Sequence, residues 1–327
     1  MPARATKQIA VAVTGASGSL GRAVLPRLLA SDRVSRVVAF DLYEPEPGDR
    51  RLSFAKIDLT RPAAAAQMAA EMTRHGCSAL VHLAFFSSQV HDLSYAHEVE
   101  VFGTTNVLTA CHDAGLATLV AASSTAIYGA SARNPNYLTE QQPPSPAASA
   151  GWVADKIEAE AQLSRFGAAN PGIRTTVLRL APVVGPHCDT PFTRFLGRRL
   201  VPAVLGHDPL VQCVHEDDVA EAVRRALFAG PGGPLNIVGR GVLPLSEAVR
   251  LAGATALPLP ESVAAVALKA LDTLGLSAMP AAALPYLRYL WVADGARAER
   301  ELGFKPRYST REAILSFAQA HRAGPAR

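Results

Sequence analysis

Cysteine is scarce in this chain: Cys77, Cys111, Cys188 and Cys213 are the four among 327 residues, and none stands at ligand-pair spacing from another. A disulfide framework and a zinc site are therefore not expected, and a reducing, cytoplasmic setting fits best. Apolar runs of membrane-spanning length are also missing. The apolar stretch at 256–292 is broken by Pro258, Pro260, Asp272, Pro280, Pro285 and Arg288, which reads as packed helices or a lid. The opening MPARATKQIAVAVTG runs straight into a short apolar segment, without the long apolar region and cleavage site of a signal peptide. The formal net charge is only +4, and the basic residues are dispersed, so neither a nucleic-acid nor a membrane partner is expected. Internal repeats and low-complexity tracts are absent.

What the chain does have is length and rhythm. It is long enough for one large domain with an extension, or for two domains. Short runs of Val, Ile, Leu and Ala alternate with helical patterns, the rhythm of parallel strands joined by crossover helices. Strands are expected near 8–14, 37–41, 52–58, 79–84, 118–123 and 175–181. Helices are expected near 19–30, 62–74, 94–114 and 149–168. After about residue 183 the rhythm changes to proline-rich loops, a helix following HEDDVAEAVRRAL, a short strand in PLNIVG and further helices. The expected architecture is α/β: a Rossmann-type doubly wound parallel sheet over 1–183. A smaller, mainly helical C-terminal substrate region over 184–327 is expected to interleave with it.

The strongest local signal is IAVAVTGASGSLGRAVLPRLL, a hydrophobic strand, a glycine-rich turn and a helix start. Gly15, Gly18 and Gly21 allow a tight turn, a close approach of backbone to a pyrophosphate and close helix–strand packing. Asp41 ends the next strand in VVAFD, about twenty residues on, where a carboxylate binds an adenosine ribose. Such an acid favours NADH over NADPH, although Arg22, Arg50 and Arg51 are available to a 2′-phosphate.

With these residues the chain resembles the extended short-chain dehydrogenase/reductases, which include nucleotide-sugar epimerases and dehydratases. The likeness runs through TGASGSLG, DL at Asp58 and Leu59, VHLA at 81–84, VFGTTNVLTAC, SSTAIYG, LRLAPVVGP, HEDDVA, LNIVG and RELGFKP, in that order. It implies a nicotinamide cofactor across the carboxyl ends of the strands. The residues it assigns to that cofactor are Gly15, Ser17, Gly18, Ser19, Leu20, Gly21, Asp41, Asp58, Leu59, Leu83, Ala84, Ser123, Lys156 and Pro182. It also implies a catalytic serine, matched by Ser124, and a catalytic lysine, matched by Lys156.

Two positions depart from that pattern. Trp152, four residues before Lys156, replaces the tyrosine expected to act as acid, and Glu100 stands in place of an asparagine. An indole N–H donates a hydrogen bond but does not ionise in a useful range, so Trp152 is a wall or a stacking surface and not an acid. His91 and His97 fall in a segment that can border the substrate, and Tyr128 reads as a packing residue. Glu100 reads either as a solvated helix residue or as a carboxylate that binds water near the cofactor.

The substrate end looks apolar. Gln212 lies where nucleotide-sugar members carry an arginine, with Arg194, Arg198 and Arg199 nearby. Phe85, Phe86, Trp152 and Tyr286 are the expected substrate contacts, alongside Tyr289 and Trp291. The lost tyrosine and the apolar pocket together resemble the tyrosine-lacking ketoreductases of aromatic polyketide pathways, the angucyclinone reductases of the simocyclinone type. The reading is an NADH- or NADPH-dependent ketoreductase for an apolar, fused aromatic ketone, with the proton supplied by substrate or water. A nucleotide-sugar epimerase or dehydratase and a non-catalytic nicotinamide-binding sensor stand beside it. Pairing of two copies through helices 94–114 and 149–168 is a further expectation.

Overall fold

The computed structural model describes residues 8–46, 48–84, 93–145, 151–274 and 280–323. The first half runs β1 (Ile9–Thr14), α1 (Ser19–Leu29), β2 (Val34–Asp41), β3 (Leu52–Lys56), α2 (Ala64–Arg74) and β4 (Cys77–His82). It continues with α3 (Leu93–His97), a π-helical turn (Glu98–Phe102), α4 (Gly103–Asp113), β5 (Thr118–Ser124), a 3-10 turn (Thr125–Tyr128), α5 (Gly151–Ala169) and β6 (Arg174–Leu180). The helix expected over 94–114 is therefore divided by a π turn. The second half comprises β7 (Val183–Val184), α6 (Pro191–Leu196), β8 (Leu200–Val204), β9 (Leu210–Val211), β10 (Val214–His215), α7 (Glu216–Ala229) and β11 (Gly233–Ile237). It ends with β12 (Leu243–Pro244), α8 (Leu245–Ala252), β13 (Thr255–Leu259), α9 (Glu261–Thr273), a 3-10 helix (Ala281–Leu287), α10 (Ala296–Leu302) and α11 (Thr310–Ala323).

Seven strands form one sheet in the order β11-β6-β5-β4-β1-β2-β3, all parallel. Strands buried on both faces read as continuous apolar runs. β1 shows how: Val11 and Val13 join a core with Val24 and Leu28 of α1 and Val223 of α7. Ala10 and Ala12, pointing the other way, join Met68 of α2, Val107 of α4 and Leu163 of α5. The strand order reverses between β1 and β4, which opens a crevice at their carboxyl ends, the usual ligand position in such sheets.

The chain after residue 183 divides its labour. α7 and β11 complete the large sheet, while α6, β8, α8, α9 and α11 enclose a separate apolar cluster including Phe195, Leu196, Val249 and Leu268. Trp152 and Ile157 of α5 pack against that cluster, so α5 bridges the two bodies. The HEDD pattern is the start of α7. His215 caps the helix by accepting from Asp217 N at 3.1 Å, and three acids occupy the first turn, where the helix dipole favours them. Asp218 also accepts the amides of Arg307 and Tyr308 at 2.9 and 3.0 Å, which fixes the C-terminal segment.

Candidate active site

The crevice begins at the glycine turn. Gly15 has φ +70°, and a Cβ there would sit 2.5 Å from Ala84 N and 2.6 Å from the Leu83 carbonyl carbon, so only glycine lets the turn lie on the end of β4. Leu83 N in turn donates to Thr14 O at 3.0 Å. At Gly21 a Cβ would meet Ala16 O at 2.2 Å, which sets how closely α1 starts behind the turn. Gly18 differs: a Cβ there would meet only Gly15 O, at 3.4 Å. Gly18 is the N-cap of α1 and makes no side-chain cap bond, and the first turn carries no acid. The free amides and the open space beside Gly18 fit a pyrophosphate.

Asp41 already works on this turn. Its Oδ2 accepts from Ser17 N at 2.9 Å and its Oδ1 from Leu42 N at 2.7 Å, while the Ser17 hydroxyl donates to Tyr43 O. Ser19 Oγ accepts from Asp189 N at 3.2 Å, which draws the loop after β7 towards the start of α1. Asp58 lies beyond β3. Burial raises its carboxyl, but hydrogen bonds from Thr60 N and Oγ1 and the Arg61 guanidinium outweigh burial and hold it below the ordinary range. Leu59 is buried beneath Gly103 of α4, and Asn106 ties this loop to the helix by donating to Leu59 O at 2.8 Å.

At the end of β5 the two serines point to different tasks. Ser123 Oγ donates to Glu160 Oε2 at 2.8 Å inside a buried network. Arg179 donates to Glu160 Oε1 at 2.8 Å and to the Tyr128 hydroxyl at 2.7 Å, and Tyr128 donates to Asn236 Oδ1 at 2.8 Å. Tyr128 thus has the packing role expected of it, and burial raises its phenol further from ionisation. Ser124, half-buried, accepts from Ala126 N at 3.1 Å and so starts the 3-10 turn, with its own hydroxyl proton left to donate.

Lys156 and Trp152 share one face of α5. Lys156 Nζ donates to Glu100 Oε1 at 3.0 Å, and Glu100 is buried. Glu100 is therefore not the solvated helix residue that was one expectation for it, but a buried carboxylate in a direct ion pair. Beneath it, His82 lies between Thr14 Oγ1 (2.7 Å) and Thr104 Oγ1 (3.3 Å); burial, with the Lys156 charge adding to it, pushes the imidazole down to about 3. His97 is paired to Asp155 at 2.7 Å on the more exposed part of the same helix contact.

The side expected to face a substrate is aromatic. Trp152 lies 6.4 Å from Tyr286, and Tyr286 packs edge-on against Trp291 at 4.9 Å. Tyr286 donates to Ala126 O at 2.7 Å, and burial raises its phenol well above the ordinary value. Among the described residues, the buried indole N–H groups of Trp152 and Trp291 have no acceptor. Trp291 also borders a tight recess, too narrow for a water molecule, with Thr125, Ala181, Pro182, Leu210 and Gln212. Pro182 and Thr125 place it at the carboxyl ends of β6 and β5. Gln212 is engaged, its Oε1 accepting from Ala293 N at 3.1 Å. Phe85, Phe86 and His91 lie outside the described residues.

The structure thus gathers the glycine turn, Asp41, the β4 end, Ser124, Lys156, Pro182, Trp152 and Tyr286 along the carboxyl ends of the strands. Sequence reasoning missed the partner of Lys156 and the Glu160–Arg179 pair behind Ser123. A signal for the first was an acid set in the apolar run VEVF.

Comparison with known proteins agrees with this frame. The model of the NAD dependent epimerase/dehydratase family matches residues 11–237. An uncharacterized Mycobacterium tuberculosis protein is 32% identical over 319 residues, covering 94% of this chain and 82% of the relative. A Stigmatella aurantiaca protein named 4-hydroxy-2-methyl-3-oxo-4-farnesyl-3,4-dihydroquinoline-1-oxide ketoreductase is 27% identical over 334 residues, 95% of this chain and 96% of that one. The UDP-glucose 4-epimerase of Thermus thermophilus, solved with NAD, superposes with a TM-score of 0.75 at 24% identity, covering 97% of this chain and 100% of that one.

Proposed function

The chain belongs to the NAD dependent epimerase/dehydratase family, and from that premise we propose that it is an NAD(P)H-dependent ketoreductase for an apolar, fused-ring ketone of the aromatic polyketide kind. The observation that carries the reading is Trp152: the position one turn before Lys156 holds an aromatic wall that cannot ionise, packed with Tyr286 and Trp291. The named activity of the Stigmatella relative, on a fused-ring ketone with an apolar chain, points the same way.

The residues divide the work as follows. The amides at the start of α1 and the space beside Gly18 hold the pyrophosphate. Asp41 faces the adenosine ribose and disfavours a 2′-phosphate, which gives NADH the advantage. Lys156 holds the nicotinamide ribose hydroxyls. When bound, the reduced nicotinamide supplies hydride. Ser124 donates its hydroxyl proton as a hydrogen bond to the carbonyl oxygen on which charge develops. With no ionisable side chain at position 152, the alcohol proton comes from water or from a phenol already bonded to the substrate carbonyl. The region after about residue 183 supplies the substrate wall, and copies pair through α4 and α5, beside the exposed Phe102 of the π turn.

The likeness to the epimerase supports a second reading, action on a nucleotide sugar. Two observations weigh against it: Gln212 is already bonded within the fold, and Arg194 is committed to Asp189 at 2.5 and 2.7 Å. The test is absorbance-monitored oxidation of NADH and NADPH against 1-tetralone and larger fused ketones, with UDP-glucose incubated separately with NAD and its products resolved by chromatography. Products two hydrogens heavier than the ketones support the reductase. Conversion of UDP-glucose to its epimer, with no ketone reduced, overturns it.

A further inference from the structure

Lys156 and Glu100 form the most deeply buried lysine–carboxylate pair among the described residues, with side-chain exposures of 11% and 4%. Burying two charges costs more than their attraction returns unless the geometry is good, so such a pair is weak evidence for stability and better evidence for a task. Three further features bear on the task. Trp152, the neighbour of Lys156 one turn back, carries no ionisable proton and so offers the ammonium no counter-charge. Glu100 sits on a π-helical turn, Glu98–Phe102, a rare geometry that inserts a residue into the helix and turns its side chains, and that recurs at functional sites. Its backbone is anchored as well: Thr104 Oγ1 donates to Glu100 O at 2.5 Å and lies 3.3 Å from His82, which bonds Thr14 at the end of β1. A buried chain of hydrogen bonds therefore connects the residue before the glycine turn to the backbone carbonyl of Glu100.

We propose that Glu100 is a positioning residue for Lys156: its carboxylate, aimed by the π turn, orients the ammonium and supplies its counter-charge, so that the pair presents a fixed, neutral hydrogen-bond donor to the cofactor ribose. The proposal rests on the cofactor reading given above. Neighbouring ionisable groups have roles of their own. From β4, His82 stays uncharged. On α5, Asp155 is taken by His97 and Glu160 by Arg179. A site whose lysine is neutralised by a resident carboxylate depends on directed donors such as Ser124, more than on net positive charge, to stabilise oxygen charge during hydride transfer.

The test reads cofactor binding and stability apart from turnover. NADH affinity is measured by fluorescence from about pH 6 to about pH 9 for the parent protein, Glu100→Gln and Glu100→Asp; a buried ammonium without a counter-charge favours its neutral form as pH rises. The parent and Glu100→Asp are expected to bind with constant affinity, and Glu100→Gln to weaken by roughly 10-fold towards the alkaline end. Gln preserves the size and a hydrogen bond, so a merely structural Glu100 would leave the profile of Glu100→Gln parallel to the parent, and that result overturns the proposal. In parallel, the midpoint of thermal unfolding without cofactor is compared for Lys156→Met and Lys156→Met/Glu100→Gln. Recovery of the midpoint in the double variant supports a paired unit; a further additive drop contradicts it. If the parent binds neither NADH nor NADPH, the cofactor reading falls, and the unfolding comparison alone decides the pairing.

Discussion

Replacing Gly18 by alanine should separate binding from folding. At Gly18 the backbone angles are φ −70° and ψ 171°, open to any residue, and the added Cβ would meet only Gly15 O at 3.4 Å. Gly18→Ala should therefore leave stability unchanged or raise it by about 0.4–1 kcal/mol through the unfolded chain. At roughly 2 °C per kcal/mol for a chain of this size, the melting temperature moves upward by about 2 °C at most. Gly15→Ala meets two penalties instead. Its φ of +70° costs an alanine about 1–2 kcal/mol. Pressing a Cβ to 2.5 Å from Ala84 N adds about 1–3 kcal/mol of overpacking. The sum, about 2–5 kcal/mol, lowers the melting temperature by roughly 4–10 °C. Binding should invert the order of interest: in the folded Gly18→Ala protein the methyl occupies the space assigned to the pyrophosphate, and NADH affinity should fall at least ~10-fold, about 1.4 kcal/mol. Calorimetric unfolding and titration calorimetry on the same samples provide both numbers. Gly18→Ala binding NADH like the parent, or melting as low as Gly15→Ala, would refute the assignment of that space.

Four further outcomes are expected. Arg179→Met leaves the buried Glu160 with Ser123 alone and should cost about 3–5 kcal/mol in denaturant unfolding, part of it restored by adding Glu160→Gln. The fold holds His82 neutral down to about pH 3, whereas the unfolded chain protonates it near its ordinary 6.5. Its contribution to stability is thus fully present above that value and is lost on acidification at about 1.4 kcal/mol per pH unit; His82→Gln should flatten the parent's pH–stability curve between those limits, and an unchanged slope would count against a buried neutral imidazole. Ser124→Ala should lower kcat for ketone reduction by about 10²–10³-fold, the scale of one lost oxyanion donor, with cofactor affinity retained. His97→Gln should leave turnover largely intact; its abolition, with NADH still bound, would identify the His97–Asp155 pair as the protein acid that the mechanism omits.

The nucleotide half was legible because its signals are local. Apolar runs buried on both faces announce parallel strands, and glycines at three-residue spacing announce the turn, so β1, α1 and Asp41 fall where expected. Strand ends shifted by a few residues: β4 runs Cys77–His82, and its pairing with β1 ends in the bond from Leu83 N to Thr14 O. What the sequence concealed lies across elements. Glu100 and Lys156 are 56 positions apart, and periodicity reveals which residues share a helix face but not what that face meets. The π turn conceals the match further by shifting the register between Glu100 and α4. The resemblance assigns Ser123 to the cofactor but gives no sign that alternation along β5 sends its hydroxyl to Glu160. In 256–292, read as packed helices or a lid, β13 also pairs in parallel with β8; its TALPL is too short and proline-broken to be recognised as a strand.

The central claim is hydride transfer to a ketone beside a tryptophan that cannot give a proton. Its most direct test is turnover of 1-tetralone, or of the best fused ketone found, with NADH deuterated at the transferable position of the nicotinamide, by the parent protein and by Trp152→Phe. The account predicts deuterium on the carbinol carbon, a hydroxyl proton drawn from solvent, and comparable rates for both proteins. Bound NADH that reduces no ketone while a nucleotide sugar is converted, or turnover abolished by Trp152→Phe, would contradict it.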